Sequence, residues 1–252
     1  MTPLPAPFGS VIVYPDSDGK PIADNTRQFR WILFIHNNLA ALFAGRADVF
    51  VAAAHLWYAV KGYPEKRVAL DVMLAFGRPK GDRGSYKQWV EGNVPVTVAF
   101  EIVSPGNEDE MAKKFSFYDE YGVEEYYIYD PDTNKLEVFV RGLGTFRQIH
   151  DIASYRSRRM GIRFEMTHPE MTIYGPDGKR FITFEESLAE TRAVRAQREE
   201  AERQDDDARR QADAAITRVA RLAQLGRKAR RGQASAEEVA ELERLEDEVT
   251  SG

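Results

Sequence analysis

The chain has 252 residues, 43% of them hydrophobic, with a net charge of −5 and no cysteine. That length supports one well-filled domain with an appendage, and the missing cysteines exclude disulfides, thiolate zinc sites and cysteine nucleophiles. A net acidic chain has no general attraction for nucleic acid, so any such contact must come from a local basic patch.

The opening MTPLPAPFGSVIVYP has neither a charged start nor a long apolar run, so no signal peptide is expected. No segment approaches the roughly 20 apolar residues of a membrane span, and a soluble, cytoplasmic protein is expected. Val11–Tyr14 is predicted as a short strand before the turn-rich PDSDGKP. Asn25–Phe43 carries Phe29, Ile32, Leu33, His36, Leu39 and Leu42 at helical spacing. Asp48–Ala52 and Arg67–Phe76 read as strands, and GRPKGDRGSYKQWVEGNVP as a loop containing a short helix. Val96–Val103 reads as a strand and Glu108–Tyr121 as a helix, with Asn107 as its N-cap. Glu125–Asp130 and Lys135–Arg141 form a predicted hairpin around Pro131–Asn134. GIRFEM, MTIYG and RFITF are predicted as further short strands, with a tight turn at Gly175–Gly178.

Near Glu185 the composition changes to Ala, Glu, Arg, Asp and Gln without Gly, Pro or aromatics, which predicts a long exposed helix. Ala201, Ala208, Ala215 and Leu222 recur every seven residues, a coiled-coil seam broken by Asp205. Gly226 and RKARRGQ are expected to interrupt this helix near 226–234. Ser235–Glu238 is a capping box opening a last amphipathic helix through Val249. The expected organisation is an α/β domain at 1–184, with a central mixed sheet flanked by helices, and a charged helical tail at 185–252.

Two predicted strands share an oddity. Asp71 interrupts the apolar run VALDVMLAF, and Glu101 interrupts VAFEIV. A lone buried carboxylate costs several kcal/mol unless something compensates it. Two that meet would repel unless a cation lay between them, and hard oxygen ligands of this kind suit Mg²⁺ or Mn²⁺. On the following helix, Lys114 falls in phase with Met111, Phe115, Tyr118 and Tyr121, whereas Lys113 lies toward the edge. A lysine on a core-facing helix surface needs a carboxylate to receive it. Asp, Glu and Lys on neighbouring elements are the residues of metal-dependent phosphodiester cleavage. The acids hold the cation, and the lysine orients water or offsets charge. Arg78, Lys80, Arg83 and Lys87 make a basic, Gly-rich loop just after the Asp71 strand that could hold a phosphate backbone. Four histidines, His36, His55, His150 and His168, lack metal-ligand spacing.

DVMLAFGRPKGDRGSYKQWVEG, FEIVSPGNEDEMAKKFSFYDEYGVEEYYIYDPD and the Ala- and Arg-rich tail together resemble the Uma-two family of the PD-(D/E)xK restriction-endonuclease-like superfamily, over roughly residues 10–185. The resemblance implies an α/β/α core and Mg²⁺-dependent endonuclease chemistry on DNA. It places the metal-binding carboxylates on Asp71 and Glu101, with the Ile102 carbonyl assisting, and the catalytic lysine on Lys114. The superfamily's usual lysine position, two residues after the acid, falls on Val103, so the lysine comes from the next helix. The family's proline before the first aspartate is Leu70 here, and the acid that relatives often carry near Ala54 is absent from VAAAHLWY. The alternative reading is a catalytically inactive nuclease-fold interaction protein that associates, as a homodimer or with a partner, through its helical tail.

Overall fold

The computed structural model describes residues 12–106 and 108–250; Val11 of the predicted first strand and the predicted cap Asn107 lie outside the described residues. The chain divides between Phe184 and Glu185 into two units. In the first, helix α1 (Thr26–Leu42) opens on Asn25, whose side chain accepts the Gln28 N–H at 2.9 Å. There follow β1 (Val49–Tyr58), β2 (Arg67–Phe76), the two-residue β3 (Tyr86–Lys87), β4 (Val98–Ile102) and α2 (Glu108–Tyr121). Next come β5 (Glu125–Asp130), β6 (Lys135–Arg141) and β7 (Phe146–Ile149). These strands form one mixed sheet in the order β3-β1-β2-β4-β5-β6-β7. The β4–β5 pair is parallel, which requires a crossover, and α2 is that crossover. β8 (Arg163–Glu165) and β9 (Thr172–Tyr174) make a separate antiparallel pair.

Helices flank the sheet on both faces. On one, Trp31, Ile35 and Leu39 of α1 pack with Val72, Phe100 and Ile173. On the other, Tyr118 of α2 packs with Trp57, Met73, Ala99 and Tyr126. No helix among the described residues is long and apolar enough to cross a membrane.

One residue re-phases the middle of the sheet. β1 and β2 pair from Val49–Phe76 to Tyr58–Arg67, and the one pair missing is Ala54 with Asp71. Ala54 stands at φ 47°, in the left-handed region. Side-chain alternation reverses there: Phe50 and Ala52 lie on the α2 face before it, Trp57 and Ala59 after it. On β2 the same reversal falls at Asp71, between Val68 and Leu70 on one side and Met73 and Ala75 on the other. A regular strand keeps strict alternation, so the left-handed residue and the reversal together leave Asp71 outside the β1 pairing.

Several expectations are corrected. Ile12–Tyr14 is not a strand. The Tyr14 ring is anchored instead against Tyr58 and Trp89, and its hydroxyl accepts the Gly62 N–H. β1 runs six residues beyond the predicted end at Ala52, because the pleat reverses at Ala54 rather than stopping. α1 is rotated from its predicted face. Gln28, Trp31, Ile32, Ile35 and Leu39 are buried, whereas Phe29 and Leu33 are exposed. Both faces of that helix carry apolar residues, and the sheet takes the one bearing Trp31. The loop after β2 contains β3 and turns but no helix; Gly92 and Asn93, both at positive φ, end those turns. RFITF makes only an isolated bridge at Arg180 before the chain enters a helix at Phe184. β7 was not foreseen, since FRQI mixes polar and apolar residues without pattern.

In the second unit, α3 (Phe184–Arg230) runs straight through Gly226, and the break falls later, before α4 (Ala236–Thr250). Leu225 is buried, and Arg221–Glu241 and Lys228–Glu238 ion pairs zip the two helices antiparallel. These contacts offset the helical cost of Gly226, about 1 kcal/mol. Ser235 and Glu238 form the reciprocal capping box at 3.2 and 3.1 Å.

An L-residue in the left-handed region costs about 1 kcal/mol, and glycine does not bear that cost. Glycine's extra unfolded-chain entropy opposes this by about 0.5–1 kcal/mol, so Ala54→Gly is expected to leave the urea midpoint unchanged or raise it by the equivalent of up to about 1 kcal/mol, at unchanged slope. A loss of about 1 kcal/mol, the ordinary cost of glycine in a strand, would show that Ala54 is not held at positive φ.

Candidate active site

The antiparallel pairing of β2 with β4 ends at Val72–Phe100. One step further, side chains replace the ladder. Asp71 Oδ2 accepts the Ile102 N–H at 2.8 Å. The Ile102 carbonyl accepts from Nε2 of Gln28 on α1 at 3.1 Å. Glu101, between these groups on β4, points to the α2 face and has no exposed surface.

Glu101 is compensated from above by α2. Lys114 Nζ donates to Glu101 Oε2 at 2.6 Å, and the Tyr118 hydroxyl to Oε1 at 2.5 Å. The two donors are four residues apart on one helix face, so a single turn of α2 grips both carboxylate oxygens. Lys114 is buried, with Glu110 Oε1 3.6 Å away, whereas Lys113 is exposed.

Burial pushes the Glu101 carboxyl up to about 8, with the Asp71 charge adding to it against the pull of Lys114 and Tyr118. Asp71 is raised in the same direction by burial, against Lys114 and the Ile102 N–H. Burial alone would lower the Lys114 pKa, but the charges of Glu101 and Asp71 outweigh it and hold the ammonium protonated. When both acids ionise, the three groups carry a net negative charge inside the protein.

That charge and the donor chemistry fit a hard divalent cation. Asp71, Glu101 and the Ile102 carbonyl are all oxygen donors, and a carboxylate keeps free lone pairs after one hydrogen bond per oxygen. A further observation favours a polar occupant: the Tyr126 hydroxyl is buried, has no hydrogen-bond partner among the described residues, and feels the charges of Glu101 and Asp71. Among the described residues no group of three or more His, Asp or Glu side chains forms a metal cage.

The predicted basic loop is committed elsewhere. Arg78 and Arg83 both bond Glu91, at 3.0 and 2.7 Å, and Arg83 also lies 4.0 Å from the centre of the Phe50 ring. Lys80 donates to the carbonyls of Phe43 and Ala44 at the end of α1. Lys87 faces Asp16 at 3.8 Å. Phosphate contact would compete with these ties. A cleft of about 360 Å³ lies along β1 beside this loop, lined by Phe50, Ala52, His55, Lys80, Asp82 and Arg83 and not by Asp71 or Glu101. Gln28 and Tyr118 were missed as parts of the site. Tyr118 shares the helical phase of Lys114, which could have found it. Gln28 is the polar member of an otherwise apolar stripe, a signal hidden by the wrong choice of face.

A carboxyl raised on folding stabilises the native state below its unfolded pKa, near 4.5 for Glu101, and loses that contribution as pH rises toward about 8. In EDTA, wild type should therefore lose stability relative to Glu101→Gln between pH 5 and 8. Urea unfolding of both proteins across that range measures the difference. A wild-type stability that stays constant or rises relative to Glu101→Gln would mean that Glu101 is ionised throughout.

Residues 17–173 match the family model described as "Uma2: Putative restriction endonuclease". No curated protein matches the chain. Among solved structures, the chain is similar to a "putative nuclease belonging to DUF820" from Anabaena variabilis, at 8% identity and a TM-score of 0.41, over 53% of this chain and 72% of that one. With more than half of its length matched by the family model, the chain belongs to the Uma2 family, whose members are described as putative restriction endonucleases.

Proposed function

We propose that the first unit is a Mg²⁺-dependent endonuclease, able also to use Mn²⁺, that hydrolyses DNA phosphodiester bonds. Asp71, Glu101 and the Ile102 carbonyl would hold the cation, and Lys114 is the catalytic lysine. The observation that carries this reading is the buried Lys114–Glu101 pair beside Asp71. Ion pairs of this kind are often no more stabilising than apolar residues of the same size, so packing alone gives little reason to retain one.

A bound divalent cation would supply an acidified water and charge compensation on the phosphate. The protein's own groups do the positioning. Tyr118 and Lys114 hold the two oxygens of Glu101, so the carboxylate cannot rotate. The Ile102 N–H fixes one oxygen of Asp71. Lys114 spends one of its three protons on Glu101, leaving others for a water or a phosphate oxygen. Its positive charge also offsets negative charge developing at the phosphorus. Arg78, Lys80, Arg83 and Lys87 are assigned to the phosphate backbone, with Lys87, the most loosely paired, leading.

Supercoiled plasmid with Mg²⁺ or Mn²⁺ tests the reading. Wild type should nick or linearise it, EDTA should stop the reaction, and Glu101→Ala and Lys114→Ala should each lower the rate about 100-fold or more. Equal cleavage by all three proteins would place the activity in another site or a contaminant. No cleavage by any would favour the inactive interaction protein.

A further inference from the structure

Gln28 occupies a position where an apolar residue would suffice. The buried stripe of α1 is Gln28, Trp31, Ile32, Ile35 and Leu39, and its other four members all belong to the core. A buried amide costs about 1–3 kcal/mol unless its hydrogen bonds are made. Here they are made at the candidate site. Nε2 donates to the Ile102 carbonyl at 3.1 Å, the Ile102 N–H in turn donates to Asp71 Oδ2 at 2.8 Å, and the nearby amide favours the Asp71 anion. Oε1 accepts the Asp24 N–H at 2.8 Å, which fixes which end of the amide faces the site. The backbone N–H of Gln28 is itself held by the Asn25 cap. Asp24, one turn earlier, accepts from the hydroxyl of Ser104 beyond β4, so the start of α1 is tied to the same strand end twice. The amide thus holds the Ile102 carbonyl directly and lies one peptide group from the hydrogen bond that fixes Asp71, on the side opposite Lys114 and Tyr118.

We propose that Gln28 is the positioning residue of this site: from α1 it sets the Ile102 carbonyl and the Asp71 carboxylate as one oxygen pair for a divalent cation. The inference rests on the metal-dependent reading. A purely structural glutamine would matter to the attachment of α1 and not to the affinity of the oxygen pair. Groups that orient metal ligands typically change metal affinity 10- to 100-fold when removed.

The experiment is Mn²⁺ binding by calorimetry, with metal-free thermal unfolding and near-ultraviolet circular dichroism, on wild type, Gln28→Leu and Gln28→Met. Leucine completes the apolar stripe, and the unbranched methionine serves if leucine overpacks. The expected result is at least a tenfold loss of Mn²⁺ affinity in a variant with a native spectrum, with the Mn²⁺ concentration for half-maximal cleavage rising in parallel. Affinity within twofold of wild type in a native-like variant would overturn the role of Gln28 while leaving the metal site standing. Absence of Mn²⁺ binding by wild type itself would sink the metal reading, and the role of Gln28 with it.

Discussion

The site depends on a place where two strands stop pairing. β2 and β4 run together as far as Val72 and Phe100, and beyond that the Asp71 carboxylate takes the Ile102 N–H. A buried N–H without a partner is costly, so the strands can separate only because a side chain replaces the ladder. On the other side of β2, Ala54 at φ 47° omits the pair that would have faced Asp71. The aspartate is released from one neighbour and bonded to the other by its side chain. The strain at Ala54 and the hydrogen bond at Ile102 are thus two halves of one arrangement.

The charges follow from that opening. Glu101 emerges fully buried on the α2 face, and the crossover helix that must follow β4 brings Lys114 and Tyr118 over it. Both acids are pushed up by burial and both feel Lys114. One lysine balances one acid. The second negative charge is what a divalent cation would meet, and the Tyr126 hydroxyl, without a hydrogen-bond partner among the described residues, stands within the field of both carboxylates.

Much of this was legible in the sequence, and the misses have physical causes. Asp71 and Glu101 stood out because each is a single charge in an apolar run, and helical phase separated Lys114 from Lys113. The limits of β2, α2, β5 and β6 followed from clear periodicity and turns. β1 was cut short because its alternation reverses at Ala54, and a period-2 reading has no way to continue through a left-handed alanine. The buried face of α1 was misjudged because the helix is apolar on two sides, and only the sheet beneath decides between them. With that choice went Gln28, whose meaning lies in the Ile102 carbonyl, 74 residues away. The end of α3 was placed too early because the cost of Gly226 is offset by α4, a partner that arrives later in the chain.

The placement of the lysine is a consequence of the same geometry. The PD-(D/E)xK pattern that the sequence resembles would put it on Val103, just past the end of β4. Here the Val103 N–H bonds Tyr129 and continues the β5 pairing, with no charge to bury. Lys114 approaches from the helix above and reaches Glu101 at 2.6 Å, with Glu110 one turn behind it. For the proposed chemistry, what matters is where the ammonium stands relative to the carboxylates, not which element delivers it. A helix also brings something that a strand position could not. The residue one turn after the lysine, Tyr118, falls on the second oxygen of the same glutamate, so one face of α2 supplies both the charge and the orientation.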